Sequence, residues 1–314
     1  KDFAWDFSVP TVSEMTITEL GTEDGHPYTD FYIPACCPYE IKGTTLQWHS
    51  EPSPETGDYY WTETGIHNAY SVVATHPDEG MTRAYFTSES PFNGVNNIRT
   101  LDDSHIRITY QSSRPAMQKK GMILEFASSA YRETAGAFTW ESENVTAQNV
   151  DVHFMHGFGW LVQMSTDVYY YDCDFMPREG SGHVTVSYAD GIHASGASGD
   201  FVIENCNFSH THDDPINLHG TFTRVEQKTD DHTLTLKYIH TQQGGFPQFH
   251  EGDKVAFFTR DTLESTDNET LYTVDEVISN PGESGNDLRT MRVRFKETLP
   301  ANLTDQISGQ PKYV

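Results

Sequence analysis

The sequence predicts an all-β protein built on a right-handed parallel β-helix, with two small antiparallel barrel- or sandwich-like domains inserted into it. Three observations carry this. Three segments repeat with the same apolar pattern, two short acidic motifs sit one repeat apart, and the flanking stretches alternate with period two. The repeats are Ser142–Val152, Ser165–Phe175 and Ser198–Phe208, with periods of 165 − 142 = 23 and 198 − 165 = 33 residues. Apolar columns run Val145/Val168/Phe201, Ala147/Tyr170/Ile203, Val150/Cys173/Cys206 and Val152/Phe175/Phe208. A polar residue, Asn149, Asp172 or Asn205, stands at one fixed place between them. Short alternating strands at such a spacing, punctuated by a polar turn, mark coils that stack on one another. The polar column is read as a turn ladder, because Asn and Asp side chains satisfy turn backbone groups. The longer second period bulges a loop that contains Arg178 and Gly180-Ser181-Gly182-His183.

The rest of the chain is divided around this core. Residues 1–12 read as the end of an earlier coil, 13–110 as a first inserted barrel-like domain and 111–222 as the β-helix core. Residues 223–300 read as a second inserted barrel, and 301–314 as a return towards the helix. Tyr39–Gly43 is a strand expected in the first insertion. His232–Tyr238, Asp253–Phe258 and Leu288–Phe295 alternate as strands of the second. No helical pattern of useful length is seen.

Composition narrows the classes. Aromatics at 12% and hydrophobics at 36% of 314 residues suffice for a folded core. The net charge of −26 argues against nucleic acid or an anionic membrane as partner, because phosphates are repelled. No apolar run is long enough for a membrane-spanning helix. The four cysteines make no disulfide framework and show no zinc spacing; Cys36 and Cys37 are adjacent. No metal or other cofactor is expected. The opening residues carry neither a basic nor an apolar leader region, which reads as a removed signal or an internal fragment.

The chemistry concentrates in Ala189-Asp190-Gly191-Ile192-His193 and in His212-Asp213-Asp214-Pro215-Ile216-Asn217-Leu218-His219-Gly220. Laying Asp190 on Asp214 lays Ile192 on Ile216, an offset of 214 − 190 = 24 residues, or one coil. Neighbouring rungs of a sheet lie about 4.8 Å apart, so Asp190, Asp213 and Asp214 are expected to share one small patch. Clustered carboxylates push their proton affinities apart, which yields an acid and a base from one residue type. That is the equipment for glycosidic hydrolysis by single displacement, in which two carboxyls stand roughly 6.5–9.5 Å apart. Asp213 is read as the acid and Asp190 with Asp214 as holders of the water, with exchange between Asp213 and Asp214 left open. A turn Asp before Gly191, an Asx turn before Pro215 or a calcium site are the other uses of these residues. His193, Asn217 and His219 alternate with Ile192, Ile216 and Leu218, so the polar set is expected to face a cleft and bind sugar hydroxyls. Arg178, Gln163 and Trp160 complete the substrate-binding set, Trp160 as a stacking platform; Glu125 and Arg132 are given a supporting role.

These motifs resemble those of glycoside hydrolase family 110, the α-1,3-galactosidases. The resemblance rests on Gly157–Ser165, Ala189–His193, Asn205–Phe208 and Asp213–Thr221, within a block from about Lys120 to Thr221. It implies an inverting exo-enzyme without a metal, catalysis by Asp190, Asp213 and Asp214, and a galactose-terminated oligosaccharide or polysaccharide as substrate. His183 stands where the resemblance leads one to expect an arginine. The Asp followed by Asp-Asp is also similar to the family 28 polygalacturonases, but Leu218-His219-Gly220 matches their Gly-His-Gly only in part and no Arg-Ile-Lys is present. A non-catalytic carbohydrate-binding β-helix and a polysaccharide lyase are the remaining alternatives; the lyase lacks its basic partner. A secreted or periplasmic location and a side-by-side homodimer are the corresponding expectations.

Overall fold

The computed structural model describes residues 2–5, 12–64, 72–75, 83–87, 90–115, 118–127, 135–155, 157–181, 183–265, 270–283, 285, 287–304, 306–307 and 310–311. It is all-β, and most of its strands run antiparallel. Its one described helix longer than a turn fragment is a short 3-10 segment, Ala301–Thr304. The chain divides into two compact units, Lys1–Leu218 and His219–Val314.

In the first unit, the repeats form three parallel ladders. Ala137–Trp140, Trp160–Gln163, Ile192–Ser195 and Ile216–His219 follow one another in one sheet. Glu143–Gln148, Thr166–Tyr171 and Ser198–Glu204 form a second, and Asp151–Val152, Asp174–Phe175 and Asn207–Phe208 a third. The registers match the columns expected from the sequence: Val145 pairs with Val168 and Val168 with Phe201, Ala147 with Tyr170 and Tyr170 with Ile203. Val152, Phe175 and Phe208 line up in the third ladder, and the Phe175 and Phe208 rings stack at 4.8 Å. Such a pair adds about 0.5–1.5 kcal/mol beyond its burial. Asn149, Asp172 and Asn205 all adopt φ near +55° (55°, 53° and 55°). Asn and Asp tolerate this left-handed turn better than other residues with a Cβ, and Asn205 Nδ2 donates to Asp172 Oδ1 at 3.3 Å. Inside lie Trp160, Val162, Val168, Tyr170, Phe175 and Ile192, all buried.

Several boundaries differ from the sequence reading. Asp2–Trp5 runs antiparallel to Ala137–Trp140, so it edges the first ladder without continuing the parallel direction of a preceding coil. The first inserted region holds a seven-stranded antiparallel sheet with a three-stranded sheet beside it in sequence, Tyr39–Lys42, Thr45–His49 and Thr62–Thr64. The larger sheet takes in Ile123–Ala127, which pairs with Val12–Thr16; the insertion thus reaches past residue 110, because closing the sheet needs that returning strand. Arg107 spans Asp30 in two hydrogen bonds, at 2.7 and 2.8 Å, and lies over the Tyr28 ring. Ile216 and Leu218, expected to point inward, are exposed, whereas their counterparts Ile192 and Ala194 are fully buried. The strand Ile216–His219 is the last of its sheet, so its apolar side chains have a rung on one side only.

The second unit is a five-stranded antiparallel sheet in the order Thr223–Lys228, Thr233–Tyr238, Thr290–Phe295, Tyr272–Ser279, Lys254–Val255. Leu234, Leu236, Tyr238, Val274, Met291, Val293 and Phe295 are buried on it, following the period-two alternation of the sequence.

Candidate active site

The two acidic motifs are laced together by main-chain hydrogen bonds. Val186 N–H donates to His210 C=O at 3.0 Å, His212 to Ser187 at 3.0 Å, and Asp213 to Ala189 at 3.3 Å. Gly191 then donates to Asp214 at 3.0 Å and Ile192 to Pro215 at 3.1 Å. One rung therefore lies directly on the next. The outcome is that Asp190, Asp213 and Asp214 each offer a carboxylate oxygen within 4.8 Å of the others. Asp190 is 2% exposed, and Asp213 and Asp214 are exposed. One carboxylate is thus held in the wall while two face solvent.

Asp190 is fixed from three sides. Its Oδ2 lies 2.5 Å from His193 Nδ1, and the His193 ring meets Phe158 edge-on at 4.6 Å. Its carbonyl accepts from Ser187 Oγ at 2.8 Å. Gly159, at φ +77°, lets the preceding rung approach so closely that a Cβ there would fall 1.9 Å from the Asp190 carbonyl oxygen. Gly191 faces the Pro215 carbonyl in the same way.

The other side is held by His212, whose side chain is 4% exposed and whose Nε2 lies 2.5 Å from Glu125 Oε2. Thr185 Oγ1 sits 2.9 Å from both Glu125 Oε1 and His212 Nε2. Glu125 pairs in register with Glu14 on the inserted sheet, and Glu14 reaches His183 at 3.1 Å. Two neighbouring carboxylates from the insertion thereby grip one histidine on each side of Asp190 in sequence. Burial pushes the Glu14 carboxyl up. Burial works against charging His183, but its hydrogen bonds and charge attraction to Cys36 and Glu14 win and push it up to about 9. Sequence reasoning assigned Glu125 only a supporting role and did not single out Glu14; the signal was an acidic residue among apolar neighbours in each of two strands, Val12–Glu23 and Ile123–Ala127.

The remaining expected residues are distributed as follows. Asn217 is half-buried on the last strand of the ladder. Gln163 is half-buried in register with Ser195, on the same outward set as His193. Trp160 is not a surface platform. It pairs in register with Ile192, is 3% exposed, and its indole N–H donates to Thr139 Oγ1 at 3.1 Å inside the coil. Its place in the alternation sends it inward with the apolar column. Arg178 is exposed in a turn closed by Ser181 N–H on its carbonyl, and among the described residues no hydrogen bond or ion pair ties its side chain to the trio. His219 belongs to the second unit, and its Nδ1 lies 2.7 Å from Gly220 O. Arg132 lies outside the described residues.

Comparison with known proteins decides the family. The chain is 35% identical over 308 residues to α-1,3-galactosidase A of Streptomyces avermitilis, covering 96% of this chain and 48% of that protein. It is 32% identical over 310 residues to α-1,3-galactosidase A of Peterkaempfera griseoplana, covering 96% and 41%. The chain belongs to the α-1,3-galactosidase family. The enzyme of that name from Bacteroides fragilis is 34% identical over 213 residues, 67% of this chain and 34% of its own length. A family model described as GLAA-B beta-barrel domain II matches residues 233–306, which take in four of the five strands of the second unit's sheet and the 3-10 segment Ala301–Thr304. The chain spans about half the length, or less, of these relatives. No helix among the described residues is long and apolar enough to cross a membrane.

Proposed function

We propose that this chain carries the active site of a glycoside hydrolase that removes terminal α-1,3-linked galactose, and that its parallel ladders are coils of a right-handed parallel β-helix. The observation that carries the reading is the convergence of three carboxylates within 4.8 Å, in a family whose relatives bear the name α-1,3-galactosidase. Asp213, exposed to solvent, protonates the departing glycosidic oxygen. Asp190 and Asp214 hold the attacking water, and His193 keeps Asp190 oriented through the contact at 2.5 Å. Asn217, Gln163 and the outer face of His193 supply neutral donors and acceptors that suit sugar hydroxyls. A neutral galactoside suits a chain of net charge −26 better than a polyuronide does. An exo-enzyme of this kind acts on galactose-terminated oligosaccharides outside the cytoplasm, in the periplasm or the medium.

The stereochemistry has two readings. The resemblance of the motifs favours inversion. Three carboxylate oxygens within 4.8 Å of one another make a double displacement through Asp214 the second reading, since retaining enzymes set their two carboxyls closer than inverting ones do. Proton NMR of the first product formed from an α-galactoside decides. The β-anomer of galactose is the expected outcome; the α-anomer makes Asp214 a nucleophile and removes the single-displacement assignment.

Glu125 acts as a positioning residue through His212, next to Asp213. Glu125→Gln keeps the shape and loses the charge that holds His212. The expected result is a fall in kcat of about tenfold or more, since small misplacements of a catalytic group are costly, with KM little changed. Equal losses in kcat and in the amount of folded protein, read by circular dichroism, would instead make the pair a purely structural one.

A further inference from the structure

A second cluster of ligating side chains lies where the first insertion meets the long loop of the coil. Cys36, Cys37 and His183 each place one ligand atom within 4.8 Å of the others. Successive residues of an extended strand point to opposite sides, but Cys36 and Cys37 sit in a turn closed by the Cys37 N–H on the Pro34 carbonyl at 2.9 Å. Both sulfurs can therefore face one point. Cys37 is buried, the His183 side chain is 11% exposed, and Cys36 is exposed. The three are thus walled on one side and open to solvent on the other.

A second layer is built around them. Glu14, whose side chain is 1% exposed, lies with Oε2 3.1 Å from His183 Nδ1. Its Oε1 accepts from Val184 N–H at 3.0 Å. Its own N–H donates to Cys37 Sγ at 3.4 Å. The His183 ring is clamped face-to-face by Phe154 at 4.2 Å. With Nδ1–H given to the carboxylate, Nε2 is the nitrogen left for a metal, which takes the place of the Nε2 proton. A carboxylate behind a histidine is the usual outer partner of a metal-bound imidazole, where it fixes tautomer and ring orientation. Two thiolates and an imidazole suit zinc and exclude calcium or magnesium, which take oxygen ligands.

We propose that Cys36, Cys37 and His183 bind one thiophilic divalent cation, best matched by zinc, with Glu14 orienting His183 and the fourth position open to water on the Cys36 side. The ion ties the insertion to the coil loop seven residues before Asp190. This site is independent of the carboxylate trio, and its test does not depend on hydrolysis.

The whole chain, purified with reductant and stripped with chelator, is titrated with cobalt(II) and then zinc. The expected result is one cobalt per chain with a thiolate charge-transfer band and tetrahedral visible bands, both displaced by zinc. Cys36→Ser and His183→Ala are expected to abolish the bands, and Glu14→Gln to weaken zinc binding about 10–100-fold, while Cys206→Ser leaves both unchanged. Reduced wild-type chain that binds zinc no more tightly than Cys36→Ser overturns the proposal. So does chain isolated without reductant in which mass spectrometry finds Cys36 and Cys37 joined and no metal.

Discussion

Asp213→Asn is expected to lower turnover of an unactivated α-galactoside by about 10²–10⁴-fold, the usual worth of a positioned acid or base. Asp213 is exposed, so the substitution leaves stability within about 0.5 kcal/mol and the loss is one of chemistry. The amide keeps the shape of the carboxyl but has no acidic proton to give. Leaving-group dependence separates the roles. An aryl galactoside with a good leaving group needs little help from an acid, so Asp213→Asn should lose far less on it. Asp214→Asn and Asp190→Asn, which deprive the water of its base, should lose as much on either substrate. If Asp213→Asn turns over both substrates at nearly the wild-type rate, the proposed role of the trio fails.

Gly159→Ala is expected to disrupt the rung without touching a carboxylate. The new methyl would sit 1.9 Å from the Asp190 carbonyl oxygen and 3.0 Å from its carbon, and neither atom belongs to a flexible side chain. The backbone at φ +77° adds about 1–2 kcal/mol for any residue with a Cβ. Relief requires the two rungs to part, which displaces Asp190 relative to Asp213 and Asp214 on the rung beyond it. A shift of about 1 Å at a reacting group can cost on the order of 10²-fold in rate. Gly180→Ala supplies the control. Its φ is +74° with nothing within 4 Å, so it carries the backbone cost alone. A clear drop in thermal midpoint and turnover for Gly159→Ala beyond that of Gly180→Ala is the predicted outcome. Equal behaviour of the two variants would mean that rung contact does not set the position of Asp190.

Much of this was legible along the chain because parallel stacking translates sequence period into spatial neighbourhood. Equal positions in successive repeats become partners, so Val168 finds Phe201 and Tyr170 finds Ile203 without knowledge of anything distant. The same rule brought Asp190 beside Asp214 from an offset of 24 residues. It also indicated that Trp160, one rung from Ile192, shares its column, although the sequence reading gave that indole to the substrate. Alternation said which side chains pair, but burial at Ile216 and Leu218 depends on whether another rung lies beyond them.

What the chain alone determined, then, is the repeat, its register and the acidic patch, all consequences of local period and strand geometry. What only the tertiary structure decided is which groups close on that patch from outside the period. Glu14 reaches His183 across 169 residues, and Cys36 and Cys37 join the same histidine from a turn in the insertion. No spacing encodes such meetings. They arise when the antiparallel sheet packs against the stacked parallel strands, because a buried carboxylate or imidazole must find a partner wherever the fold has brought one.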